Sequence, residues 1–467
     1  MQTLKSCSFW FDQLCETATA RPALTEDIDV DVAIIGAGYT GLWTAYYLKK
    51  YRPELSVAVL ERNVAGFGAS GRNGGWLIGG MAGELKQLAR LQGEQRKQAK
   101  QLLTSIVDEV ASVCTELQID CDLHRGGSIA VAARYPYQKA LLRDEFESYR
   151  RAGFDDSDFQ WLEGAALEAQ VNMHRGTAGL FTPHCAAINP AKLVCGLAAG
   201  VARSGVTIYE NSAVRAVDNG LLTTAQGSVR ASVVVPATEG FGERLLNLQR
   251  YLLPIQSLLI ATQPLTTAQW DQIGLAGRPT FCDSGRLTTY GQRTLDGRIV
   301  FGARGGYQFG GRAKSTFSLH EQAFRLRESL LRGLFPIARE LEITHGWGGT
   351  LGMARGFTPF ALFDQRSGLG CAGGYGGEGV GASNLFARTL VDLILGRDSE
   401  LVQMPWAYDA SLGEVLCKWE PEPLRWLTYQ AILKTFSWED NAHSSQACAL
   451  SRHLSSAMSG QLEKLLH

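Results

Sequence analysis

Short apolar runs punctuated by glycines and acids dominate the first quarter of the chain. Asp29-Val-Asp-Val-Ala-Ile-Ile35 is β-branched and too short for a helix, which predicts a buried parallel strand. Leu42-Trp-Thr-Ala-Tyr-Tyr-Leu-Lys-Lys50 has helical character and is closed by Pro53, and Ser56-Val-Ala-Val-Leu-Glu61 predicts a second strand. Farther on, Asn189-Pro-Ala-Lys starts a helix with proline in its first turn, running to Arg203. A strand over 206–210 and a hairpin ending at 233–236 follow. Segments 251–265 and 286–304 have strand character and predict an antiparallel sheet. Segment 382–395 has apolar residues at 385, 386, 390, 393 and 394 and a glycine stop at 396, which predicts a helix. The tail over 424–435 is amphipathic with few cations on its polar face, so it is expected to pack on its own domain.

The joints between these elements carry the chemistry. Gly36-Ala-Gly38-Tyr39-Thr40-Gly41 lies between the first strand and its helix, and Glu61 follows Gly41 by 20 residues. Gly36 permits the tight turn, and Gly38 lets backbone approach a pyrophosphate at the helix's positive end. Gly41 lets helix and strand pack, and Glu61 can bind a ribose diol. This context makes it a dinucleotide-binding motif, without separating FAD from NAD. A second glycine-dense segment, Gly66 to Gly75, cannot be a stable helix or strand interior, and its amides are free to meet a ligand. A third, Gly370 to Gly381, leads into the helix over 382–395, whose positive end would favour the negative charge of a reduced flavin. A simple nicotinamide domain has no use for that feature.

At 467 residues the chain is long enough for two or three folding units. Its 52 glycines are well above the roughly 7% of average usage, consistent with several close approaches to a ligand. Forty-five basic against 46 acidic side chains leave a net charge of −1, which argues against nucleic acid as the partner. The ten cysteines, at 7, 15, 114, 121, 185, 195, 282, 371, 417 and 448, show no zinc-type spacing. They are expected to be reduced thiols of a cytoplasmic protein, with no metal site. No signal peptide and no transmembrane segment is expected.

With these segments in hand the chain resembles the D-amino-acid oxidase family of FAD-dependent oxidoreductases, near its γ-glutamylputrescine oxidase, glycine oxidase and sarcosine oxidase branch. Besides the first motif, the resemblance is carried by Gly68 to Gly75, Val233 to Gly240, Tyr290 to Arg298, Phe301 to Gly306, Trp347 to Gly352 and Gly373 to Arg388. Trp419 to Trp426 adds to it. It implies a mixed α/β fold: a discontinuous FAD domain from 28–85, 183–247 and 345–400, and an antiparallel-sheet substrate domain from 86–182 and 248–344. Residues 401–467 would form a helical extension. Cofactor contacts are expected from Gly36, Gly38, Tyr39, Thr40, Gly41, Glu61 and Arg62. More are expected from Gly68, Ala69, Ser70, Arg72, Asn73, Gly74, Gly75 and Trp76, from Val214, Ala237, Thr238 and Gly352, and from Gly374, Gly376, Gly377, Gly379 and Val380.

The resemblance further implies oxidation of a small, charged primary or secondary amine. A hydride passes to flavin and the imine hydrolyses; no Ser/His/Asp triad is required. Arg355, Tyr375, Glu378 and Tyr290 are the candidate catalytic residues. Arg355 would take a substrate anion, with a surface ion pair as the alternative. A cysteine that carries flavin covalently in the sarcosine oxidase branch has no counterpart in Thr350-Leu-Gly-Met-Ala-Arg-Gly356, so non-covalent FAD is expected. The lysine that assists oxygen reduction there falls on Val300. Reduction of O2 to H2O2, or transfer to another electron acceptor by a dehydrogenase, both stay open, as does a 2-hydroxy acid in place of the amine.

Overall fold

The computed structural model describes residues 4–14, 21–242, 245–444 and 449–466; Cys15 and Cys448 lie outside them. Two sheets carry a mixed α/β architecture. In the first, Ile28–Ile35 is central, with Val57–Leu60 parallel on one side and Ser228–Pro236 parallel on the other. Its last four residues are all buried, as a parallel strand covered on both faces requires. Thr207–Tyr209 extends the sheet beyond Val57–Leu60, and Leu369–Gly373 extends it beyond Ser228–Pro236.

The helices Tyr39–Tyr51 and Gly379–Leu395 cover one face of this sheet, burying Leu42, Trp43, Leu385 and Phe386 in one core. Asn384 donates to the Tyr47 hydroxyl at 2.8 Å across the helix pair. Pro190–Arg203 packs nearby, its Asn189 cap accepting the amides of Ala191 and Lys192. Two helices whose starts, Tyr39 and Gly379, lie 340 residues apart in the chain therefore aim their N-termini at the same end of the sheet. Ligands bind at that strand end in folds of this kind.

The second sheet has eight strands, from Ser128–Ala132 to Ile343–Ala354. Most neighbours are antiparallel, although Ser128–Ala132 and Thr280–Asp283 run parallel. The expected strand over 286–304 is a hairpin of Thr289–Arg293 and Ile299–Tyr307, because Gly297, at φ +77°, lets the chain reverse. Ile343–Ala354 pairs with Leu252–Thr262 along its whole length. Residues 345–354 thus belong to the second sheet rather than the first. Ala407–Tyr408, inside the expected helical extension, joins the edge of the first sheet. The extension otherwise comprises mainly Leu424–Ser444 and Ala449–Leu466. Tyr429, Ile432 and Phe436 of the former pack on Leu253, Ile255 and Met353 of the second sheet. Among the described residues no helix is long and apolar enough to cross a membrane.

Candidate active site

A cleft with about 1200 Å³ of atom-free space runs along the ends of the central strands. Gly36, at φ +107°, ends the first strand so close to the next that a Cβ there would lie 2.7 Å from the Ala237 carbonyl oxygen. Gly38 caps the first helix and leaves its end open; a Cβ would come within 2.9 Å of Ser70 Oγ. That hydroxyl accepts the Tyr39 amide at 2.9 Å, which sets Ser70 at the positive end of the helix. Glu61 closes one end, accepting the amides of Ala37 and Asn63. Thr40 Oγ1 and Tyr375 Oη lie 3.0 Å apart and tie the first glycine motif to the third.

The cleft opens into a second space of about 2140 Å³ beneath the second sheet. Ala69, Asn73, Leu351, Gly376, Gly377 and Val380 line both. Beyond this junction stand Glu378, Tyr290, Trp76 and Arg304. Tyr290 is hydrogen-bonded to Ser257 at 2.5 Å, and burial pushes its phenol up to about 12. Trp76 meets the Tyr290 ring edge-on at 6.4 Å. Burial, reinforced by Glu84 and Glu145 and opposed by Arg304, raises Glu378 to about 8. Two further charges on the wall are paired, Asp283 with Arg134 at 2.7 Å and Arg286 with Glu439 at 2.6 Å, and Glu145 also lines it.

Residues 31–393 match the family model described as DAO, FAD dependent oxidoreductase. The chain belongs to the DAO family of FAD-dependent oxidoreductases. It is 29% identical over 407 residues to a probable oxidoreductase, OrdL, of Haemophilus influenzae, covering 84% of this chain and 89% of that one. It is 28% identical over 386 residues to the gamma-glutamylputrescine oxidoreductase of Escherichia coli, covering 80% and 85%. Among solved structures, glycine oxidase from Geobacillus kaustophilus superposes with a TM-score of 0.66 at 20% identity, covering 82% of this chain and all of that one. The chain is thus an FAD-dependent oxidoreductase.

The cleft of this DAO-family chain suits FAD: its close glycines leave room that a Cβ would fill, and both helix ends face it. Of the residues expected to meet the cofactor, Gly36, Gly38, Tyr39, Thr40, Glu61 and Arg62 line it, as do Gly68, Ala69, Ser70 and Asn73. So do Val214, Ala237, Thr238 and Gly352, and Gly376, Gly377, Gly379 and Val380. Tyr375, expected in catalysis, lines this cleft and not the second cavity.

Six of the residues expected to meet the cofactor, and the catalytic candidate Arg355, are placed elsewhere. Gly41 packs on the turn, where a Cβ would lie 2.1 Å from the Gly36 carbonyl oxygen. Arg72, Gly74 and Trp76 line the second cavity. The Arg72 guanidinium donates to the carbonyls of Phe67 and Ser315, both at 2.6 Å, so it braces the loop. Gly75 is packed against Gln292 and the Ile188 carbonyl, and Gly374 donates its amide to Glu239. Arg355 is not brought to either space: it forms a half-exposed ion pair with Glu420 and stacks over Trp419. The geometry thus follows the surface-pair alternative. Glu378 and Tyr290 both line the second cavity.

Sequence reasoning missed Glu239. It follows Ser228–Pro236, adopts φ +46° and lines the cofactor cleft. Its two oxygens accept the amides of Gly352 at 3.0 Å and Gly374 at 3.2 Å, and burial pushes the carboxyl up to about 8. An acid before glycine directly after an apolar strand was the available signal. Tyr149 and Glu145 were also missed; their four-residue spacing on Tyr137–Arg151 sets both toward the cavity.

Proposed function

We propose that the chain binds FAD without a covalent bond and oxidises a small amine that enters the second cavity. The carrying observation is the continuity of the two spaces, with glycine backbone at the junction and Glu378 and Tyr290 lining the second space alone. FAD, when bound, accepts a hydride from the carbon beside the amine nitrogen. The chain's own residues bind and orient. Trp76 and Tyr290 offer aromatic surface to a cationic or alkyl group. The imine product then hydrolyses in water.

Non-covalent binding is supported by the cleft lining, which holds no cysteine or histidine among the described residues. The fold supports an FAD domain from 28–85, 183–247 and 355–400 and a substrate domain from 86–182 and 248–354, which moves one strand across the expected boundary. A cytoplasmic setting is supported by the eight described cysteines, all free thiols. O2 is the proposed acceptor. A second reading, a dehydrogenase with another acceptor, is favoured by Val300, which is buried with Phe9, Leu259 and Trp347 where the sarcosine oxidase branch has lysine.

The test is anaerobic absorbance of the FAD-loaded protein with glycine, sarcosine, γ-glutamylputrescine and n-butylamine. Bleaching near 450 nm by one of them, with colour and peroxide returning in air, supports an amine oxidase. Bleaching without prompt return supports the dehydrogenase. Bleaching by a 2-hydroxy acid such as lactate, and by no amine, overturns the amine reading. Yellow colour retained in acid-precipitated protein overturns non-covalent binding.

A further inference from the structure

We infer that Glu378 is the base that takes the proton of the substrate's ammonium group before oxidation. The inference rests on the amine reading above and assigns that site its proton acceptor. Gly376 and Gly377 line both spaces, Glu378 lines only the second, and the helix Gly379–Leu395 begins at once. A carboxylate at this cap position ordinarily folds back to accept the helix's first amides. The Glu378 side chain makes no such bond and lines the cavity instead, at the point where the cofactor cleft ends.

Of the other acids on the wall, Glu145 stands on the helix Tyr137–Arg151, whereas Glu378 directly follows the glycine junction. Asp283 is held by Arg134, Gln138 and Thr289. Arg286 is paired with Glu439, Arg72 donates to main-chain carbonyls, and Arg304 lies over the Phe357 ring at 5.6 Å. The groups that face Glu378 electrostatically are Glu84, Glu145, Tyr149, Cys185 and Arg304. Their acidic majority and the burial keep the carboxyl titrating near 8, close to where a general base works best.

The chemistry requires such a group. An alkylammonium has no lone pair with which to expel a hydride from its neighbouring carbon. Transfer of one N–H proton to the Glu378 carboxylate leaves the bonding pair on nitrogen. That pair forms the C=N bond as the C–H hydrogen departs with two electrons to FAD. One proton ends on Glu378, and two electrons and a hydrogen nucleus end on the cofactor.

The experiment compares wild type with Glu378→Gln, both loaded with FAD. With the amine that bleaches wild type, the bleaching rate should rise as pH climbs through about 8 and then level. Glu378→Gln should be at least 100-fold slower at pH 7.5, its rate rising tenfold per pH unit toward the amine's own pKa. Identical profiles overturn the inference. A second readout needs no turnover: calorimetric titration of wild type with n-butyltrimethylammonium, which cannot be oxidised, from pH 6 to 9. Binding should strengthen about tenfold through pH 8, and a flat profile overturns the inference even if Glu378→Gln fails to hold FAD. If no amine bleaches wild type, the amine reading fails, and the titration still reports separately on Glu378.

Discussion

The Glu61 carboxylate accepts the Ala37 amide at 2.9 Å, so the acid that follows the second strand is hydrogen-bonded into the glycine turn that follows the first. Its other oxygen accepts the Asn63 amide at 2.8 Å, and burial raises its pKa. Two amides thereby fix the carboxylate at the rim of the cleft, where the motif is expected to meet the vicinal hydroxyls of a ribose. Glu61→Ala should weaken FAD binding at least tenfold, about 1.4 kcal/mol. Titration of apoprotein with FAD, followed by flavin fluorescence, measures it; an unchanged affinity would remove Glu61 from the ribose site.

The turn beside it is just as demanding of space. A Cβ on Gly41 would lie 2.1 Å from the Gly36 oxygen and 3.1 Å from Ile34 Cγ2, contacts that backbone cannot relieve without moving the helix. Gly41→Ala should cost about 1–3 kcal/mol or more and lower FAD retention with it. Gly333 makes the contrast: it lies in the helix Gln322–Leu334 with open space around its Cβ position. Gly333→Ala should raise stability by about 0.5–1 kcal/mol. Thermal melts of the two variants decide the matter, and equal effects would refute the steric argument.

Arg355 tests how far a motif can be trusted to place a side chain. Its guanidinium and the Glu420 carboxylate are both more than a third exposed, at 37% and 39%. Arg355→Ala should change stability by no more than about 1 kcal/mol and leave the rate of anaerobic flavin bleaching within twofold. A rate loss of tenfold or more would restore Arg355 as a substrate-binding group.

What was legible in the sequence was whatever is local. The strand, turn, helix and second strand around Gly36 to Glu61 follow from residues that are neighbours in the chain, and the structure places them as the motif requires. Side-chain destinations set by distant partners were not legible. Arg355 leaves the cavity because Glu420, 65 residues later, claims it. Ile343–Ala354 joins the second sheet because its register with Leu252–Thr262, rather than its glycine-rich composition, decides its place. Glu239 is invisible as a site residue until Gly352 and Gly374 converge on it from two strands.

Glu84, Glu239 and Glu378 are pushed up by burial to about 7, 8 and 8. Unfolding returns each to the ordinary carboxylate range near 4.3. Between that value and 7 to 8 the folded apoprotein therefore binds protons that the unfolded chain releases. The contribution to stability is full below the unfolded pKa and is lost as pH rises through the folded values. The Tm of the apoprotein should fall between pH 5 and pH 8.5. Glu239→Gln keeps an oxygen to accept one of the two amides but removes one titration, so its Tm should fall less over the same interval. Melts at pH 5, 6.5 and 8.5 at constant ionic strength give the comparison. Parallel profiles for wild type and Glu239→Gln would mean that Glu239 is ionised in the folded apoprotein and that its two amide bonds outweigh its burial.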